Sequence, residues 1–292
     1  MSSFVRSFIK PKKSALDEIQ SVTYCSFVRI PEGPHKKLLI LPYDPIWAQR
    51  LYEATGIPIK KATLELLLTR TADPEEYILI KTDEMAIIFS QRKDTLKVRG
   101  YHFITCDVER VLELGDKIRL TGHYLREYLP KNYTINCPSF PCFLKKNDGM
   151  AGRNVRLFHN QQDYYKTIAQ IPDLENYIVQ EAITSDIEYS AQFLVLEGKI
   201  HTYIAYYQIS TEPLFVRPRS VVIETMEIDL DPAILAVFEM FFIYFNGFIN
   251  ANFKMIKGKP IIFEFNTRIS GDIFYISDDS ISELVNAYCT NC

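Results

Sequence analysis

The stretch that decides the reading is GFINANFKMIKGKPIIFEFNTRISG, Gly247 to Gly271. Two apolar-rich runs flank a turn at Lys257-Gly258-Lys259. Side chains alternate across a strand, so Ile249, Ala251, Phe253 and Met255 share one face of the first run, and Ile261, Phe263 and Phe265 share one face of the second. These are the expected core faces. The opposite face carries Asn250, Asn252 and Lys254 on one strand and Ile262, Glu264 and Asn266 on the other. A three-residue turn sets Asn252 across from Glu264 and Asn250 across from Asn266, roughly 5 Å apart. Asn is depleted in strands. Three on one face fit either a solvated hairpin or a cluster of hard oxygen donors of the kind Mg²⁺ takes, usually one or two carboxylates beside substrate phosphates.

Upstream lies PCFLKKNDGMAGRNVRLF, Pro141 to Phe158. A short apolar strand delivers Lys145, and a small-residue loop with Gly149, Ala151 and Gly152 leads to a second strand near Val155. Glycines let a backbone approach a ligand closely, and successive N–H groups can form an anion-binding nest. Lys145 would place a point charge on phosphates. The Gly-Lys-Ser/Thr ending of a Walker A loop is absent, and on its own the segment reads better as an ordinary hairpin loop. Between the two segments runs YIVQEAITSDIEYSAQFLVLEGK, Tyr177 to Lys199.

In this order the three segments resemble the ATP-grasp superfamily, in its carbamoyl-phosphate-synthetase-like and carboxylate–amine ligase branch. KKNDGMAGRNV is similar to that family's phosphate loop, VQEAITSDIEYS to its hinge, and Glu264-Phe265-Asn266-Thr267-Arg268 to its metal strand. The resemblance implies an α/β (α+β) ATP-grasp domain at 115–292, preceded by a leader and a smaller α/β pre-ATP-grasp domain at 1–114. It implies that Lys145, Gly149, Gly152 and Lys117 (from Asp116-Lys117) meet the nucleotide phosphates. Gln180, Glu181, Ala182 and Ile183 would line the adenine, with Glu188 on the ribose hydroxyls. Asn252, Glu264 and Asn266 would hold Mg²⁺ (or Mn²⁺), and Arg268, with Lys145, would steady the transferred phosphoryl group. The implied activity is an ATP-dependent ligase that turns a small carboxylate into an acyl-phosphate for attack by an amine. Departures are Lys146 in place of a proline, Ala151 and Asn154 in place of glycines, and the neutral Asn252 as first ligand. A weak first ligand favours the rival reading, a nucleotide-binding sensor or scaffold without turnover. A carboxylase or carbamoyl-phosphate-type kinase is the rival among enzymes.

Composition fits a globular protein with one or two domains: 292 residues, 47% hydrophobic and 24% charged. A net charge of −3 gives no global basic field for nucleic acid or an anionic membrane. The most apolar run, Ala233 to Phe245, is broken by Glu239 and is shorter than the ~20 residues a bilayer requires. No targeting segment is seen, so a cytoplasmic location is expected, with small-molecule carboxylate and amine partners and a homodimer left open. Arg217 and Arg219, in PLFVRPRSVV, are candidates for a substrate carboxylate, which Arg pairs bidentately. His201, Trp47 and Cys142 read as structural residues, and the Cys289/Cys292 pair as plain thiols.

Elsewhere, strands are expected at Lys37–Pro42, Tyr77–Ile80, Met85–Ser90 and Tyr101–Thr105. Asp44-Pro45 should open a helix that Gly56 stops. Asp107–Leu114 reads as helix, and Asp116 should cap another running to about Leu129. Further strands are expected at Cys142–Lys145, Val155–Phe158, Tyr177–Ile183, Ile187–Leu196 and Lys199–Tyr206, with helices at Gln161–Ile171 and Pro232–Phe245.

Overall fold

The computed structural model describes residues 9–11, 36–147, 154–214 and 220–292. The leader outside 9–11, the loop glycines Gly149 and Gly152, and Arg217 and Arg219 lie outside the described residues.

Strand β1 (Ile9–Pro11) precedes an N-terminal unit of β2 (Lys37–Leu41), α1 (Pro45–Thr55), β3 (Ile59–Lys61), α2 (Leu64–Thr69), β4 (Glu76–Ile80), α3 (Asp83–Gln91) and α4 (Lys93–Val98). Its sheet is parallel, in the order β3-β2-β4. Helix α1 forms where its signals place it. Asp44 accepts from the N–H groups of Ile46 and Trp47, Pro45 takes the first turn, and Gly56 ends the helix at φ 68°. The run Met85–Ser90 is helical, contrary to the expected strand. Thr82 caps it through Met85 N, Asp83 and Glu84 fill its first turn, and Ala86 and Phe89 are buried at helical spacing. A short apolar run cannot distinguish strand from helix by period; the cap decides it. Tyr101–Thr105 joins the sheet only through a bridge between Tyr77 and His102.

Next come α5 (Val108–Gly115) and α6 (Lys117–Thr121). The latter stops at Gly122, well short of Leu129, so the expected long helix is one turn capped by Asp116. The second sheet is antiparallel, in the order β5-β8-β6-β7. Its strands are β5 (Asn132–Tyr133), β6 (Cys142–Lys146), β7 (Val155–Phe158) and β8 (Tyr177–Glu181), with α7 (Gln161–Ile168) packed on it through Tyr164 and Ile168.

The largest sheet contains β9 (Ile187–Leu196), β10 (Lys199–Ser210), β11 (Val222–Leu230), β12 (Gly247–Ile256) and β13 (Lys259–Asn266). Its order is β1-β11-β10-β9-β12-β13, antiparallel throughout. Helix α8 (Pro232–Phe241) lays Phe238 and Phe241 on one face beside Phe193, Phe253 and Phe265. The final helix, α9 (Asp278–Asn291), returns to α1 and to β10. Two core clusters each mix residues from before and after position 115. One joins Leu39 and Ile78 to Phe193 and Phe265, and the other joins Leu38 and Trp47 to Leu194 and Val285. No helix among the described residues is long and apolar enough to cross a membrane.

Candidate functional site

The β12–β13 hairpin pairs in the expected register, Asn252 with Glu264 and Asn250 with Asn266. Beyond that point the register shifts, because Phe253 pairs with Ile262. A bulge of this kind opposes two residues to one and re-aims a side chain. Here it sends Ile262 into the core and leaves Phe263 beside Glu264 on the outer face, which reverses the expected faces at 262 and 263.

That outer face is one wall of a cavity of ≈ 580 Å³, within the roughly 300–1,000 Å³ usual for small-molecule sites. The hairpin contributes Asn252, Lys254, Phe263, Glu264 and Asn266, and the segment after it Arg268, Asp272 and Tyr275. Phe143 and Lys145 come from β6 and Glu181 from the end of β8, with Ile183 following. Glu188 on β9, Gln208 on β10 and Thr225 on β11 complete the far side, and Lys117 stands at the start of α6. The middle and large sheets thus face each other across one cleft.

Lys145 is buried against both lobes. Its Nζ donates to Gln180 Oε1 at 2.9 Å and lies 5.6 and 5.2 Å from the ring centroids of Phe143 and Phe263. Burial pushes its ammonium down to about 8; Glu264 and Glu188 oppose this, and Lys117 and Lys254 add to it. Glu264 is half-buried, and this loss of water alone would raise its carboxyl. Lys117, Lys145 and Arg268 outweigh that effect and hold it below the usual carboxylate range. Lys254 is pushed down by burial, against the pull of Glu188 and Asp186, and donates to Ile183 O at 3.2 Å and Ser185 O at 3.0 Å. It therefore pins the backbone that follows β8.

Arg268 donates through Nη2 to Asp83 Oδ2 at 3.2 Å and Asn266 Oδ1 at 3.1 Å, and through Nη1 to Ile269 O at 3.4 Å. Asp83 opens α3, so the N-terminal unit reaches into the site. Lys117 pairs with Glu264 Oε1 at 2.9 Å. Its helix is moored by Asn147, whose Nδ2 donates to Asp116 Oδ2 at 2.8 Å and whose Oδ1 accepts from Ile118 N at 3.1 Å.

For a divalent cation the donor set is one carboxylate and amide oxygens. Among the described residues Asn252 Oδ1 is buried without a hydrogen-bond partner, while its Nδ2 donates to Glu264 Oε2 at 3.3 Å. An orphaned buried oxygen beside a carboxylate is a group that a cation would satisfy. Asn266 Oδ1 is shared with Arg268. The residues fit Mg²⁺ only if substrate phosphates supply most of its shell, the usual pattern for this ion. Among the described residues no group of three or more His, Cys, Asp or Glu could hold a metal by itself.

No protein-family model matches the chain, and no curated protein matches it in sequence. Solved structures do match in shape. D-alanyl-alanine synthetase A from Vibrio cholerae aligns with a TM-score of 0.57 at 14% identity, covering 89% of this chain and 98% of that one. A RimK domain protein ATP-grasp from Sphaerobacter thermophilus aligns at 0.54 and 14% identity, covering 87% and 99%. N5-carboxyaminoimidazole synthase from Aspergillus clavatus, in complex with ADP and its ribonucleotide, aligns at 0.55 and 10% identity, covering 88% and 77%.

The chain has the ATP-grasp fold.

Within this ATP-grasp fold, Lys117, Lys145, Glu181, Ile183, Glu188, Asn252, Glu264, Asn266 and Arg268 converge on one cavity from segments far apart in sequence. Gln180 and Ala182 are not in its lining. Gln180 supports Lys145 from behind, and the Ala182 N–H is taken by Pro141 O at 3.2 Å. Asn250 is wholly buried as a bracket, its Nδ2 donating to Ser190 Oγ at 2.9 Å and Asp272 Oδ2 at 3.1 Å. Sequence reasoning missed Asp83, Gln208, Thr225 and Asp272, which carry no local signal. It placed Lys254 on the polar face but gave it no role. A lysine alternating with Asn250 and Asn252 on an apolar strand was the available clue. His201 is exposed beside Asn291, Trp47 packs in the second core, and burial lifts the Cys142 thiol to about 11, consistent with structural roles.

Proposed function

We propose that the protein is an ATP-dependent ligase that activates a carboxylate as an acyl-phosphate and passes the acyl group to an amine. One observation carries this reading: Lys117, Lys145, Glu264 and Arg268 meet in a single cleft between two antiparallel sheets. Phosphoryl transfer asks a protein mainly to position groups and offset charge. Lys145, shielded from water, would hold a phosphate oxygen far more firmly than an exposed lysine would. Lys117 would take a second oxygen from the opposite side. Arg268, fixed by Asp83 and Asn266, would face the phosphoryl group in transit to the substrate carboxylate. Glu188 would accept from ribose hydroxyls, and the backbone at Glu181–Ile183, pinned by Lys254, would meet the adenine edge. Glu264, with the amide oxygens of Asn252 and Asn266, would hold Mg²⁺, which when bound supplies charge neutralisation on the phosphates. The substrate carboxylate would be a small one, with Arg217 and Arg219 as its candidate partners.

The reading is tested by ADP release from ATP and Mg²⁺ against a panel of amino acids and short peptides. Wild type should release ADP with at least one pair. Lys145→Ala and Glu264→Gln should each abolish release while the fold persists by circular dichroism. Wild-type turnover in either variant removes the assigned roles. A second reading, nucleotide binding without turnover, is favoured by Glu264 being the lone carboxylate among the three metal candidates. Tight ATP binding with no ADP from any acceptor would support it.

A further inference from the structure

Two side chains that a bound nucleotide and its cation would each claim are paired with each other in this protein. Lys117 Nζ sits 2.9 Å from Glu264 Oε1 and donates to Asn147 O at 3.4 Å. Asn147 follows the strand that carries Lys145, and Glu264 lies on the hairpin, so Lys117 stands at the junction of the two sheets. The other oxygen of Glu264 accepts from Asn252 Nδ2 at 3.3 Å. That bond turns the Asn252 amide so that its oxygen, the better cation ligand, is left buried without a partner among the described residues.

We propose that Lys117 is the resident counter-ion of Glu264 and keeps the site closed to divalent cations until a nucleotide arrives to take Lys117 away. The proposal rests on the cation-binding role given to Glu264 above. Its physical basis is the charge around that carboxylate. Lys117, Lys145 and Arg268 all act on Glu264, so a dication approaching that one carboxylate meets the three positive groups that already surround it. A nucleotide polyphosphate reverses this balance: its oxygens draw Lys117 off Glu264 and bring the anionic charge that the cation needs. The freed carboxylate and a turned Asn252 amide then become available together. Cation and nucleotide therefore enter as a unit, and the idle protein does not fill with metal.

The experiment titrates Mn²⁺ into the full chain, reading free Mn²⁺ by electron paramagnetic resonance, with and without ADP. Without ADP, Lys117→Met should bind Mn²⁺ at least about tenfold more tightly than wild type, because one unit charge beside the dication is gone. Lys117→Gln, which keeps a donor toward Asn147, should do the same and serves if the methionine variant does not fold. Lys117→Arg should behave as wild type, and Lys117→Gln/Glu264→Gln should lose the gain. With ADP, wild type should take up more Mn²⁺ than the same ADP binds without protein. Equal Mn²⁺ affinity in wild type and Lys117→Gln without ADP, when ADP recruits Mn²⁺ to wild type, overturns the counter-ion role and leaves the site reading intact. A gain that survives Glu264→Gln overturns it as well. No Mn²⁺ uptake by any form, with or without ADP, overturns both.

Discussion

Raising the pH from 7 to 9 should weaken nucleotide binding by a factor set by one buried amine. Burial holds Lys145 at about 8 in the ligand-free protein. A phosphate beside it favours the ammonium, so Lys145 titrates higher in the complex than in the free protein. Below 8 the charge is already present and affinity is flat. Above 8 binding must be accompanied by proton uptake. The apparent Kd then grows as about 1 + 10^(pH − 8), or about elevenfold at pH 9, until the pH reaches the value for the complex. ADP is the suitable probe from pH 8 upward, because its last phosphate proton, with a pKa of about 6 to 7, is lost by then. Calorimetry in two buffers of different ionisation enthalpy should read about 0.9 proton taken up per ADP at pH 9 and about 0.5 at pH 8. Lys145→Met should bind ADP more weakly at pH 7 and show neither effect. Linkage gives the unliganded protein the opposite trend. The free Lys145 value lies below the 10.5 of an unfolded chain, so between about 8 and 10.5 the unfolded state binds more protons and stability rises with pH. Melting temperatures of wild type relative to Lys145→Met should therefore climb across that range. A wild-type Kd for ADP that is unchanged between pH 7 and 9, or a dependence that persists in Lys145→Met, would refute the reasoning.

Two further substitutions test how the site is held. Tyr288→Phe removes a buried hydroxyl that donates to Ile78 O at 2.6 Å and accepts from Ile104 N at 3.2 Å. It should lower stability by about 1–3 kcal/mol in urea unfolding, because α9 loses its tie to the parallel sheet; an unchanged midpoint would mean the tie is dispensable. Gly247 opens β12 at φ 119°, and a Cβ there would sit 3.1 Å from Ile104 O. Gly247→Ala should cost more than about 1 kcal/mol by the same assay.

Much of the fold was legible because it is written in local chemistry. The Asp44 cap and the Gly56 stop bound α1 to the residue. Asn252 does pair with Glu264, but the turn has two residues rather than the expected three, and the bulge supplies the missing one. The strand expected at Met85–Ser90 is a helix because five apolar residues and a serine fit either period; Thr82 and the acidic pair behind it settle the matter. The long helix expected after Asp116 failed because Gly122 ends it after one turn. Asp83 could not have been linked to Arg268 from sequence, since 185 residues separate them.

The amino-acid order by itself determined which residue types line each strand, where the strands turn, and that a lysine, a carboxylate and an arginine recur in an ATP-grasp-like order. Only the tertiary structure decided which of those groups lose their water. It buried Lys145 between two sheets, turned Asn250 into an internal bracket, moved Phe263 to the cleft through one bulged residue, and set Lys117 against Glu264. The physical reason is that hydrogen bonding along the chain acts over a few residues, whereas desolvation and charge pairing depend on every neighbour that packing brings near, however distant in sequence.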